Sequence, residues 1–183
     1  TMQKIADMRK HLESKYGFSH NKELHAGEMI GRSAAKYSDI KKVDRVLLFR
    51  DVLSFEATLQ EARIINVVVD KKDLKFGQDP FHIAWDALIH NNFPFPEIEK
   101  SAGIKNRGLL IVDETDEVKL RTLIRKMRHD NAIPSAIHRG QTIKHNLRFV
   151  IEDPLHKNSE WSLLIQLCDA NSYFLKQTIE PNS

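Results

Sequence analysis

The run Leu109-Leu110-Ile111-Val112, closed by Asp113, constrains the fold more than any other stretch of this sequence. Four consecutive aliphatic residues read as a strand buried on both faces, the pattern of a sheet covered by helices. A second run, Ile64-Ile65-Asn66-Val67-Val68-Val69, is β-branched, ends at Asp70, and reads as a central strand. Phe149-Val150-Ile151 reads as a third. Helical periods lie between them. Ile5, Met8, Leu12 and Tyr16 share one face, with Gly17 as the stop. Val43, Val46, Leu47, Phe49 and Leu53 mark a second helix. Asp79-Pro80 opens a third, which turns Phe81, Ala84, Trp85, Leu88 and Ile89 inward until Phe93-Pro94-Phe95-Pro96 breaks it into a loop. A helix from about Asp116 buries Leu120, Leu123, Ile124 and Met127. The last helix, capped by Asn158 or Ser159, runs to about Gln177. Strands alternating with helices predict an α/β layered domain with a central mixed sheet flanked by helices. Three strands are few for so many helices, so the sheet is expected to lack strands or to borrow them.

With 183 residues, 41% hydrophobic and 29% charged, the chain reads as one soluble domain spanning 1–183. A net charge of +3 permits nucleic-acid binding without requiring it. The single cysteine, Cys168, excludes an internal disulfide and reads as a small buried hydrophobe on an apolar helix. No apolar run approaches the roughly 18 residues of a membrane span, and no secretory leader is evident, so a cytoplasmic location without membrane contact is expected. No phosphate-binding GxxxxGK[ST] loop, GxGxxG turn or GxSxG elbow occurs.

The chemistry lies in acidic residues on apolar elements. Asp113 ends the strand just described. Asp169 sits inside Leu163-Leu164-Ile165-Gln166-Leu167-Cys168-Asp169-Ala170 and is the only acid between Glu160 and Glu180. A buried carboxylate is costly unless paired or bound to a metal. Carboxylates at the carboxyl ends of strands, brought together from separate elements, suit Mg²⁺ or Mn²⁺, which take hard oxygen ligands and keep several waters. Glu114, beside Asp113, could reach the same ion from the start of the following loop. Glu23 is a third candidate, and His25 reads either as a donor behind it or as a surface histidine. The nine histidines form no zinc pattern.

Three stretches, taken in order, resemble the RNase-H-like family known as domain of unknown function 3800. They are Glu23-Leu24-His25-Ala26, Ile111-Val112-Asp113-Glu114, and Asn158-Ser159 leading to Gln166-Leu167-Cys168-Asp169-Ala170. The resemblance spans Met2 to Lys176. It implies an RNase-H-like fold and an acidic metal centre acting on nucleic acid, with Glu23, Asp113 and Asp169 as the catalytic and metal-binding residues. It places Gln166 near the substrate and Ser159 as a helix cap. The family opens on a strand carrying Asp-Glu-Ser-Gly and a second strand. This sequence opens on the helix that would follow them, so a preceding segment or a partner chain is expected to complete the sheet.

The expected function is thus a Mg²⁺- or Mn²⁺-dependent nuclease that hydrolyses DNA or RNA through a metal-bound water. The rival expectation is a non-catalytic RNase-H-like module that binds nucleic acid or protein. For either, His25, Gln166, Arg139 and Lys144 are candidate nucleic-acid contacts. Lys119, Arg121, Arg125, Lys126 and Arg128 form a basic helix face that reads either as a phosphate track or as a solvated surface.

Overall fold

The computed structural model describes residues 2–31, 34–60, 62–92, 108–114, 116–130, 132–134, 142–144, 147 and 150–181. These divide into two compact units, Thr1–Ile64 with Lys157–Ser183, and Ile65–His156.

The first unit is helical. Helix α1 (Met2–Tyr16) buries Ile5, Met8 and Leu12 and ends where Gly17 takes a φ of +66°, its N–H returning to the Glu13 carbonyl. A left-handed residue is where glycine spares the strain a side chain would bring. A loop leads to the short α2 (Ala26–Ile30), then to a 3₁₀ turn (Ala34–Tyr37) and α3 (Lys42–Glu56). A second 3₁₀ turn, Ser159–Trp161, precedes α6 (Leu163–Ile179). One core joins them: Ile5, Leu12, Phe18, Leu24, Met29, Tyr37, Leu48, Phe49, Val52, Leu167 and Ala170 are all buried. Each large aliphatic here contributes on the order of 1.5–3 kcal/mol by leaving water. Phe174 of α6 packs edge-on to Phe49 of α3, with ring centroids 5.5 Å apart.

Helix α1 is also tied to α3 by charge. Asp51 accepts from Lys15 Nζ at 2.6 Å and from Tyr16 Oη at 2.8 Å, with His11 Nε2 at 3.6 Å. The Lys15 ammonium, more than the opposing effect of burial, holds the Asp51 carboxyl below the usual range. A carboxyl depressed by folding adds stability above its unfolded value near 3.8, and that stability fades as pH falls through the lower folded value. Thermal melts of wild type and Asp51→Asn should therefore differ in favour of wild type at pH 6 and converge as pH falls through the lowered folded value. A gap that stays constant with pH would show that the contact is not ionic.

The second unit contains α4 (Pro80–Asn92), α5 (Glu117–His129) and short strands. Asp79 opens α4 as expected, accepting from Phe81 N at 3.0 Å. Leu120, Ile124 and Met127 of α5 pack with Ile89, Leu147 and Val150. Strand β1 (Ile111–Asp113) pairs with β4 (Leu155–Lys157), preceded by a parallel bridge between Gly108 and Val150. Strands β2 (Ala132–Pro134) and β3 (Thr142–Lys144) form a separate antiparallel pair.

This corrects the expected fold class. Among the described residues there are six α-helices and only two-stranded sheets, not a central mixed sheet with helices on both faces. Ile64 to Val69 is not a central strand: it joins no ladder among the described residues, and Ile64 and Val68 are exposed. The run ending at Asp113 is not buried on both faces. Ile111 and Asp113 are exposed, because a two-stranded ribbon leaves a face open. In α3 the buried face is Leu48, Phe49 and Val52, while Val43 and Val46 are exposed. Cys168 is exposed, since the inward stripe of α6 runs through Ile165, Gln166, Leu167 and Ala170. The loop Phe93-Pro94-Phe95-Pro96 lies outside the described residues. No described helix is long and apolar enough to cross a membrane.

Candidate functional site

The site grows from the loop between α1 and α2. The loop turns at residues 20–22 and then reaches His25, which is extended at φ −110°, ψ 103°. Amides two residues apart in extended chain point the same way, and side chains three apart on a helix share a face. Two such pairs meet here. The Leu24 amide donates to Gln166 Oε1 at 3.1 Å, and the Ala26 amide donates to Asp169 Oδ2 at 3.1 Å. Residues more than 140 apart in sequence are thus joined in register.

Gln166, 2% exposed, is the centre of this clamp. Its Nε2 donates to the carbonyls of Ser159 at 2.7 Å and Glu160 at 3.1 Å, so one amide fastens the loop, the 3₁₀ turn and α6. From that position it orders the loop and does not face a solvent-borne ligand. Gln166→Leu should cost about 2 kcal/mol, because the buried Leu24 N–H loses its acceptor. Urea unfolding checks this, and a loss under 0.5 kcal/mol would contradict it.

Glu23, only 8% exposed, is the carboxylate that is truly buried. Its Oε1 accepts from Ser159 Oγ at 2.8 Å and its Oε2 from Lys36 Nζ at 3.2 Å. Ser159 therefore does not cap α6. Asn158 caps the 3₁₀ turn instead, accepting from Glu160 N at 2.8 Å. Asp169, expected to be buried, is 40% exposed. His25 caps α2, its Nδ1 accepting from Glu28 N at 3.3 Å, and lies 3.9 Å from Asp169 Oδ2.

Negative charge accumulates around this loop. Tyr37, fully buried, donates to the Glu23 carbonyl at 3.0 Å. Burial pushes its pKa far up, and the carboxylates of Glu28, Glu23, Asp169 and Glu160 each push it further. Lys36 bridges two of the four, with Glu160 Oε1 at 3.9 Å. Lys36 and Tyr37 escaped the sequence reading because neither carries a local pattern.

Asp113 stands in the second unit. Its Oδ1 accepts from the next amide, Glu114 N, at 2.9 Å, and its carbonyl accepts from His156 Nδ1 at 3.2 Å. Asp113 and Glu114 are both exposed. Among the described residues, no group of three or more His, Cys, Asp or Glu is arranged to hold a metal ion. A closed cage is therefore not what these residues offer. Both oxygens of Glu23 are taken by Ser159 and Lys36, and Asp169 Oδ2 accepts from the Ala26 amide.

The basic face of α5 is largely spoken for. Arg125 and Arg128 both bind Asp153, at 2.5 and 3.0 Å, Lys119 reaches Asp79 at 2.7 Å, and Arg121 pairs with Glu117. Arg139 lies outside the described residues, and only the backbone of Lys144 is described, in β3. Cys168 is exposed as a residue, yet partial desolvation of its thiol, and after it Glu56, pushes the thiol pKa up, the opposite of what a nucleophile needs.

Compared with known protein families, curated proteins and solved structures, the chain matches none of them.

Proposed function

We propose that this chain is a divalent-metal-dependent nuclease, with Glu23 and Asp169 as the Mg²⁺ or Mn²⁺ ligands of the first unit. One observation carries the reading. Two boxes that resemble the family known as domain of unknown function 3800, more than a hundred residues apart, fold into a single network. That network leads out to a half-exposed carboxylate, Asp169, amid an excess of negative charge. Asp113 and Glu114 carry the remaining box in the second unit, and their part is judged by their own substitutions.

A bound Mg²⁺ or Mn²⁺ would supply a water of lowered pKa and offset charge on the phosphate. The chain's own residues do the positioning. Gln166 fixes the loop, the Ala26 N–H fixes Asp169 Oδ2, and Ser159 fixes Glu23 Oε1. With Nδ1 accepting from Glu28 N, the neutral His25 ring carries its proton on Nε2 and can donate it to a substrate oxygen.

The test is cleavage of labelled DNA and RNA with Mg²⁺ or Mn²⁺ by wild type, Asp113→Asn and Asp169→Asn. Activity that is undiminished in both variants removes the proposal. A second reading, a non-catalytic module that binds nucleic acid or protein, is favoured by the want of a three-residue metal group among the described residues. It predicts salt-sensitive binding with no cleavage under any divalent ion.

A further inference from the structure

The segment from Asp70 to Gln78, in the second unit, is two turns in series. Asp70 accepts from the Lys72 N–H at 2.9 Å and opens a 3₁₀ turn, Lys71–Asp73. A second turn follows, closed by Gln78 N donating to the Lys75 carbonyl at 3.0 Å and by Lys75 N donating to Gln78 Oε1 at 2.8 Å. Gly77 takes a φ of +83° at the third place of this turn, where a type II turn demands a positive φ. Phe76 holds the second place. A backbone fastened at both ends of the turn thus carries a phenylalanine that is fully exposed. Lys71, Lys72 and Lys75 stand within five residues of it, all exposed, and no ion pair ties any of them among the described residues. Of the two acids in the segment, Asp73 and Asp70, the second is turned onto its own backbone. The basic face of α5 differs, because its cations already meet acids.

We propose that these two turns bind single-stranded nucleic acid, with a base stacked on Phe76 and phosphates held by Lys71, Lys72 and Lys75. Three ammonium groups and one flat apolar ring match a ligand with spaced negative charges and flat apolar faces of its own. A single strand has both, and stacking on an aromatic ring is indifferent to which base is offered. A duplex keeps the faces of its bases inside the stack. A lipid surface is a poorer match, because binding there scales with the apolar area that enters it, and one side chain offers little. The inference extends the nuclease reading above by naming the kind of strand that is held. Holding it requires no metal, so the two can fail separately.

Fluorescence anisotropy of labelled oligothymidylate and oligouridylate strands, titrated in EDTA at low salt, tests this without cleavage. Phe76→Ala should weaken binding about tenfold, the loss of one stacked base. Phe76→Trp keeps a stacking ring and should bind at least as tightly, with its emission quenched by the strand beyond that of wild type. Replacing Lys71, Lys72 and Lys75 together by Gln should lower the slope of log Kd against log salt by about 2, for three phosphate contacts on a single strand. All four side chains are exposed, so thermal melts of the variants should match wild type. No binding by wild type, undiminished binding by Phe76→Ala, an unchanged slope in the triple variant, or a duplex held as tightly as a single strand overturns the proposal. So does binding to phosphatidylglycerol vesicles in place of the oligonucleotides. Binding that depends on Phe76, with no cleavage under Mg²⁺ or Mn²⁺, supports this inference and sinks the nuclease reading alone.

Discussion

Asp169→Asn is expected to lower kcat/KM for phosphodiester cleavage by about 10³-fold, roughly 4 kcal/mol of transition-state stabilisation, without lowering the melting temperature. The two halves of this result come from different atoms and charges. The Asn side chain keeps a carbonyl oxygen, so the Ala26 amide, 3.1 Å from Asp169 Oδ2, still has its acceptor and the loop stays clamped. What is lost is a negative charge. Glu28, Glu23, Asp169 and Glu160 all raise the Tyr37 pKa, and Lys36 bridges Glu23 and Glu160. With the acceptor kept, the melting temperature should hold. A variant that melts lower and cleaves as well as wild type would show instead that Asp169 is a structural acceptor and nothing more.

Arg9→Met should destabilise the first unit by about 4 kcal/mol, the largest stability effect expected of a single side chain here. Arg9 is 5% exposed on α1, and burial lowers its pKa, a sign of how much the buried charge costs. Its Nη2 donates to the carbonyls of Ser19, His20 and Lys22 at 3.4, 2.9 and 2.6 Å, and its guanidinium lies 4.8 Å from the centre of the Phe18 ring. Methionine fills similar space yet leaves three carbonyls without their donor. The segment so held runs directly into Glu23. Hydrogen exchange should therefore show the amides of Leu24 and Ala26 losing protection before those of α3. Arg9→Lys should recover only part of the loss, since a compact ammonium lacks the flat guanidinium that lies over the Phe18 ring. Urea unfolding that shifts by less than 1 kcal/mol for Arg9→Met would overturn this account of the loop.

The helices were largely legible and the sheet was not, for a physical reason. Helical pairing is local, so Ile5, Met8 and Leu12 on α1, or Leu120, Ile124 and Met127 on α5, declare themselves by spacing. Helix α3 shows the limit of that rule. With Val43, Val46, Leu47, Leu48, Phe49, Val52 and Leu53 spread around its axis, spacing does not pick the buried side, and the neighbours α1 and α6 choose Leu48, Phe49 and Val52. Strand pairing is non-local. A β-branched run such as Ile64 to Val69 records a preference for extended backbone, and it does join no ladder among the described residues.

The candidate site was legible in part, and for reasons that crossed. Asp169 was singled out as a buried charge and is half-exposed. Glu23 was singled out by its place in a box and is the buried one. Gln166 was read as a substrate contact and is the internal clamp. Lys36, Tyr37 and Arg9 act through groups distant in sequence or through backbone carbonyls, and no local pattern announces such partners. Ser159 pairing with Glu23 across 136 positions is of the same kind.

The central claim is that Glu23 and Asp169 serve one divalent cation. A crystal grown with Mn²⁺ and recorded at the manganese absorption edge tests it most directly. The account predicts an anomalous peak about 2.1 Å from a carboxylate oxygen of Asp169. A peak absent from this loop at saturating Mn²⁺ would contradict it.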